Sequence, residues 1–281
     1  MIGSSAAPLR PLGVGEVLDG AVRLARRNAR SVLVVSVPYA LVATLADALL
    51  QYVAITHSKD ATSLVAFNTL LVSAWFGTVL TGLVAPLYTS DLLGSRISIG
   101  ESLRRVGGRA FVLFVLGLVV AISEGAGLAA CIVGGVWLWG IWAVAAPTFA
   151  LERVGIRAAL RRSRALVAGT FWRVWGIRAL GWFVTYVLLQ LIVLPFEALA
   201  AKLTHVDLLD SNPHTTNAAL YVAIISAGQL IAAALLAPIT SAIEVLLYTD
   251  LRMRKEGMDI VLGLRADPMR APAEPPAVSA W

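Results

Sequence analysis

Charge is what this sequence has least of. Only 14% of its 281 residues are Asp, Glu, Lys or Arg, where soluble domains carry about a quarter, so a water-covered globular surface of ordinary size is excluded. Cysteine is confined to Cys131, which rules out an internal disulfide, a cysteine-based zinc site and an iron–sulfur centre. Histidine occurs only at His57, His205 and His214, and lysine only at Lys59, Lys202 and Lys255, the other basic residues being arginine. That arginine bias is read as a bacterial source. No phosphate-cradling glycine loop and no nucleophile elbow occurs. The chain is therefore expected to be neither an enzyme nor a holder of a cofactor or metal.

Apolar residues are what it has most of: 58% of the chain is hydrophobic and the mean hydropathy is +0.80. A helix crossing about 30 Å of hydrocarbon needs about 20 mostly apolar residues. Runs of that length lie near 31–53, 64–90, 110–129, 132–151, 178–200 and 218–248. The sequence predicts an all-α integral membrane protein of six transmembrane helices. Residues 14–262 form its single membrane domain, 1–13 a flexible start and 263–281 a disordered Pro- and Ala-rich tail. The first apolar run follows a charged segment and continues into further spans, so the first helix is expected to serve as its own targeting signal.

Basic residues decide the orientation. All but Lys59 and Lys202 of the 23 lysines and arginines fall on the N-terminal segment, after the second, fourth and sixth runs. The positive-inside rule then places both ends on the cytoplasmic side. The expected location is the bacterial cytoplasmic membrane, with the charge directed at anionic headgroups rather than nucleic acid.

Three basic segments, near 14–29, 99–107 and 154–168, read as amphipathic helices lying in the interface. In the first, Val14, Val17, Leu18, Ala21 and Ala25 form one stripe, with Glu16 and Asp19 early and Arg23, Arg26 and Arg27 late, matching the helix dipole. Each even span also carries Ala-Pro followed by an acid: Pro86 with Asp91, Pro147 with Glu152 and Pro238 with Glu244. The expectation is three copies of one unit, an amphipathic helix followed by a transmembrane hairpin, kinked at Pro86, Pro147 and Pro238. Small residues from Gly117 to Gly140 read as close helix packing.

The string LERVGIRAALRRSRALVAGTFWRVWG at 151–176, with RPLGVGEVLDGAVRLARRN from Arg10 and LLYTDLRMRKEGMDIVL from Leu246, resembles the bacterial glycerophosphodiester phosphodiesterase membrane-domain family. The likeness runs from the start of the chain to the end of the sixth span. It implies a stand-alone membrane part. The phosphodiesterase barrel of the family's namesakes needs a catalytic histidine pair and metal-binding acids, and the three histidines here fall in expected external loops. The enzyme's activity is therefore not carried over.

Two sets of residues are candidate sites. Arg157, Arg161, Arg162 and Arg164, followed by Phe171, Trp172 and Trp175, are a candidate face for anionic lipid headgroups or a protein partner. Asp47, Glu124 and Glu197, one on each odd span, are expensive inside a membrane and are candidates by that fact alone. Counted along their helices they lie in the outer third, where they form an acidic ring if three units pack about one axis. His205, Asp207, Asp210 and His214 share one external loop, but their spacing fits no metal pattern. The reading that follows is a non-enzymatic, lipid- or partner-organising module, associating with a protein partner or as a homo-oligomer; its alternative is a small transporter or lipid flippase.

Overall fold

A computed structural model describes residues 12–57, 61–95, 97–205 and 217–257. Among these the chain is helical with no strand. Ten helices follow in order: α1 (Val14–Arg27), α2 (Ala29–His57), α3 (Ala61–Leu92), α4 (Ile99–Gly107), α5 (Ala110–Ala130), α6 (Ile132–Ile141), α7 (Ala145–Glu152), α8 (Ile156–Val167), α9 (Phe171–Thr204) and α10 (Ala218–Glu256). Six spans long and apolar enough to cross a bilayer result, the fourth being α6 and α7 together. The residues 263–281 and most of 1–13 lie outside the described residues, as do Asp207, Asp210 and His214.

Local chemistry sets the three short basic helices. Glu16 Oε2 accepts the Gly13 N–H at 2.6 Å, closing the first turn of α1. Ser98 caps α4 by accepting the Glu101 N–H at 3.2 Å. Arginines occupy the last turn of α1, α4 and α8, where the helix dipole favours them.

The packing is cyclic. Spans α3, α6/α7 and α10 hold the centre and α2, α5 and α9 the periphery: α2 rests on α3 and α10, α5 on α3 and α6, and α9 on α10 and α6. Burial agrees, since the hydrophobic window of each central span is 50–56% buried and that of each peripheral span 11–39%. The short helices follow the same rotation, with α1 on α10, α4 on α3 and α8 on α7. Each amphipathic helix thus packs on the central span of the preceding unit, and the third unit closes onto the first. Tyr88, Phe149, Leu246, Leu247 and Tyr248 fill the shared core.

This arrangement changes what the amphipathic helices are for. Their apolar faces do not lie on lipid: Val17, Ala21 and Leu24 of α1, Val106 of α4, and Ala159, Leu166 and Val167 of α8 are buried in the protein core. Amphipathic periodicity specifies an apolar stripe and leaves open whether lipid or protein covers it.

The prolines are likewise redistributed. Pro86 and Pro238 lie inside continuous helices, whereas Pro147 sits in the first turn of α7 after a break at Trp142–Val144. A proline ring clashes with the carbonyl four residues back, here that of Ala143, so the fourth span is broken rather than kinked. The Ile141 carbonyl at this break accepts the Ser163 hydroxyl at 2.8 Å. The Ala234 carbonyl, deprived of its helical donor by Pro238, accepts from Ser36 Oγ at 3.4 Å. Two of the carbonyls at these interruptions are thus satisfied by serines of neighbouring helices.

Glycine brings α5 and α6 together. A Cβ on Gly135 would stand 2.7 Å from the Leu128 backbone nitrogen, and one on Gly127 3.0 Å from the Gly135 backbone. With Cys131 as the only residue between the two helices, no bulkier pair fits the hairpin.

Candidate functional site: the basic end of the bundle

Every basic segment converges on one end of the bundle. There the inner end of each central span meets the junction between an amphipathic helix and the following span. Asp91, at the end of α3, accepts from Arg27 Nη2 and Asn28 Nδ2, both at 3.0 Å. Asp250, near the end of α10, accepts from Arg173 Nη2 at 3.1 Å, from Arg254, and from the Leu12 N–H at 2.8 Å. In the second unit Arg109 donates to the Val154 carbonyl and lies over the Phe149 ring, 4.7 Å from its centroid. The three junctions are thus tied by the same device, a side chain at the start of a peripheral span gripping the end of its own unit's central span.

The acid of the third unit is Asp250 and not Glu244, which corrects the Ala-Pro-acid alignment. Pro86 and Pro147 stand five residues before Asp91 and Glu152, whereas Pro238 stands twelve before Asp250. The prolines do not share a register. A better signal was the repeated Leu-Tyr-Thr at 87–89 and 247–249, followed at once by Asp250 in the second place and, after Ser90, by Asp91 in the first.

The four arginines proposed as one face divide. Arg162 turns inward, its Nε within 3.2 Å of both Glu152 carboxylate oxygens and its Nη2 on Glu256. Burial opposes its charge, but the hydrogen bonds and charge of Glu152 and Glu256 outweigh that and hold the guanidinium above its ordinary pKa. Arg164 lies over Trp137, 5.9 Å from the ring centroid. Arg157 and Arg161 are exposed and have no ion pair among the described residues. They share that state with Arg23 and Arg26 on α1, Arg104 on α4 and Arg153 before α8. The free positive charge is thus spread around the ring of short helices rather than gathered on one.

The three intramembrane acids are not brought together. Asp47 is buried and accepts from Gln51 Nε2 at 2.6 Å and Thr69 Oγ1 at 3.1 Å, which settles it within the α2–α3 hairpin. Glu197 is half-buried on α9, where its charge reaches Tyr221. Glu124 is buried with Oε1 unpartnered; Arg178 and Glu244 are the charges that reach it. Arg178, counted in the sequence as part of a basic connection, instead lies inside α9. Its Nη2 pairs with Glu244 at 3.1 Å, its Nη1 donates to the Trp139 carbonyl, and its guanidinium covers the Trp139 ring. Among the described residues no group of three metal-ligating side chains occurs.

Fold and site together define an all-α, multi-pass membrane protein closed at one end by a ring of basic helices. Comparison with family models, curated proteins and solved structures finds no match.

Proposed function

We propose that this chain is a non-enzymatic module of the bacterial cytoplasmic membrane, with its basic end on the cytoplasmic side, that gathers anionic lipid headgroups around that end. One observation carries the reading: apart from Val14 and Val22, the apolar faces of α1, α4 and α8 are covered by protein, so it is mainly their charged faces that remain for something else. Unpaired, exposed arginines project from all three, each worth about 1 kcal/mol near an anionic surface. A second reading, a small transporter or flippase, draws on the Arg178–Glu244 pair within reach of Glu124, whose buried Oε1 has no partner among the described residues.

The test is lipid retention. Protein purified gently from membranes is expected to keep phosphatidylglycerol in preference to phosphatidylethanolamine, measured by mass spectrometry. A variant with Arg104→Gln, Arg157→Gln and Arg161→Gln is expected to keep less of it at unchanged thermal stability. Equal retention by the variant would remove the module reading.

A further inference from the structure

A cavity of about 280 Å³ opens at the basic end between α3, the α3–α4 connection, α4 and the end of α7. Thr89, Ser90 and Ser95 line it together with Arg105, Arg153, Pro86 and Leu151. That volume lies near the lower end of the range for small-molecule sites, about 300 Å³ upward. It suits a headgroup rather than a large ligand. No acidic residue lines it.

Arg153 is the informative residue. It takes a left-handed backbone conformation, φ 53°, at the C-terminus of α7. The ends of the other two central spans turn through the same region with glycine, Gly94 after α3 and Gly257 after α10. Left-handed backbone costs a residue with a Cβ about 1 kcal/mol that glycine does not bear. Of the three central spans only the second ends without glycine; beside the glycine-turned end of α3, which lines the same cavity, it places an exposed guanidinium with no partner among the described residues. Backbone strain retained at a site is grounds for seeking a ligand there. Two further groups point the same way. The buried Thr89 Oγ1 has no hydrogen-bond partner among the described residues. Arg105 is tied only to Glu101, one turn away in an exposed pair, and such pairs are readily exchanged.

We propose that this cavity binds a phosphate group, held by Arg153 and Arg105 with the Thr89 hydroxyl as a further donor, the Ser90 and Ser95 hydroxyls being committed to the Leu87 and Ser90 carbonyls. Guanidinium and hydroxyl donors around a small polar recess match a tetrahedral oxyanion in both charge and hydrogen-bonding sense. The inference rests on reading the basic end as the anion-engaging face and narrows it to one site. The phosphate can come from a lipid headgroup or from free phosphate.

Because glycine suits its backbone better, Arg153→Gly separates binding from folding. Thermal unfolding is followed in detergent with inorganic phosphate titrated against chloride at constant ionic strength, and in phosphatidylcholine nanodiscs with and without phosphatidic acid. Wild type is expected to show a saturable rise in Tm with one ligand source or both, and the responding arm identifies the source. Arg153→Gly is expected to match or exceed the wild-type Tm without ligand while its apparent affinity falls about tenfold or more. An Arg157→Gln, Arg161→Gln variant keeps the ligand-dependent rise if the cavity is the site. No rise in wild type, a full rise in Arg153→Gly, or loss of the rise in the Arg157, Arg161 variant would each overturn the proposal. Failure of the lipid-retention test with this titration intact would overturn the module reading and leave the cavity standing.

Discussion

Removing the Asp250 carboxylate tests whether the ring is closed by one residue. Asp250 is 1% exposed and holds the Leu12 amide of the first unit, Arg173 at the start of α9, and Arg254 of its own helix. Hydrogen bonds to a charged group contribute about 1.5–3 kcal/mol each, but the three do not add. Arg173 and Arg254 keep a quarter to a third of their side-chain surface exposed and can turn to water, so their share is discounted for screening. The buried Leu12 amide cannot, and an unsatisfied buried donor costs about 1–3 kcal/mol. Asp250→Ala is therefore expected to destabilise by about 2–4 kcal/mol, and Asp250→Asn, which keeps an acceptor for Leu12, by roughly half of that. The exposed Glu101–Arg105 pair is the control, with Glu101→Ala expected to cost below about 0.5 kcal/mol. Thermal unfolding in detergent, read by tryptophan emission, orders the three variants. An Asp250→Ala shift no larger than that of Glu101→Ala would refute closure of the ring through this carboxylate.

Other outcomes follow from the same geometry. Ser163→Ala is expected to cost about 1–3 kcal/mol because it strips the donor from the Ile141 carbonyl at the α6–α7 break; a shift within error would mean that water or a neighbour takes its place. Gly135→Ala is expected to lower stability by about 1–3 kcal/mol through its collision with Leu128, while Gly107→Ala, with open space around its Cβ, is neutral or slightly stabilising. Orientation is read by membrane-impermeant thiol labelling of intact cells. Exposed Cys131 is expected to label, and in a Cys131→Ser background Lys202→Cys labels whereas Ala165→Cys does not. The opposite pattern would invert the charge-based topology.

The sequence alone determined the number of spans and the bounds of the short helices. Lipid supplies no hydrogen-bond partner, so every crossing must be a helix of about 20 apolar residues, and such runs stand out in a chain this poor in charge. The clustering of arginine at alternate ends, and the 3.6-residue stripe of segments such as 14–27, were equally legible. Tertiary structure decided the rest, because its determinants are not written in hydropathy. A valine such as Val17 looks the same whether lipid or the end of α10 covers it. Pro147 breaks its span and Pro86 does not, and a proline marks the carbonyl it frees without showing what satisfies it. Glu244 and Asp250 both follow Pro238, and their tasks separate only when α9 sets Arg178 beside one and Arg173 beside the other. The acids on the odd spans fall at similar depths by counting, yet rotation about each helix sends Asp47 to Thr69 and Glu124 toward Arg178. Depth follows from position along one helix; convergence depends on how several are turned.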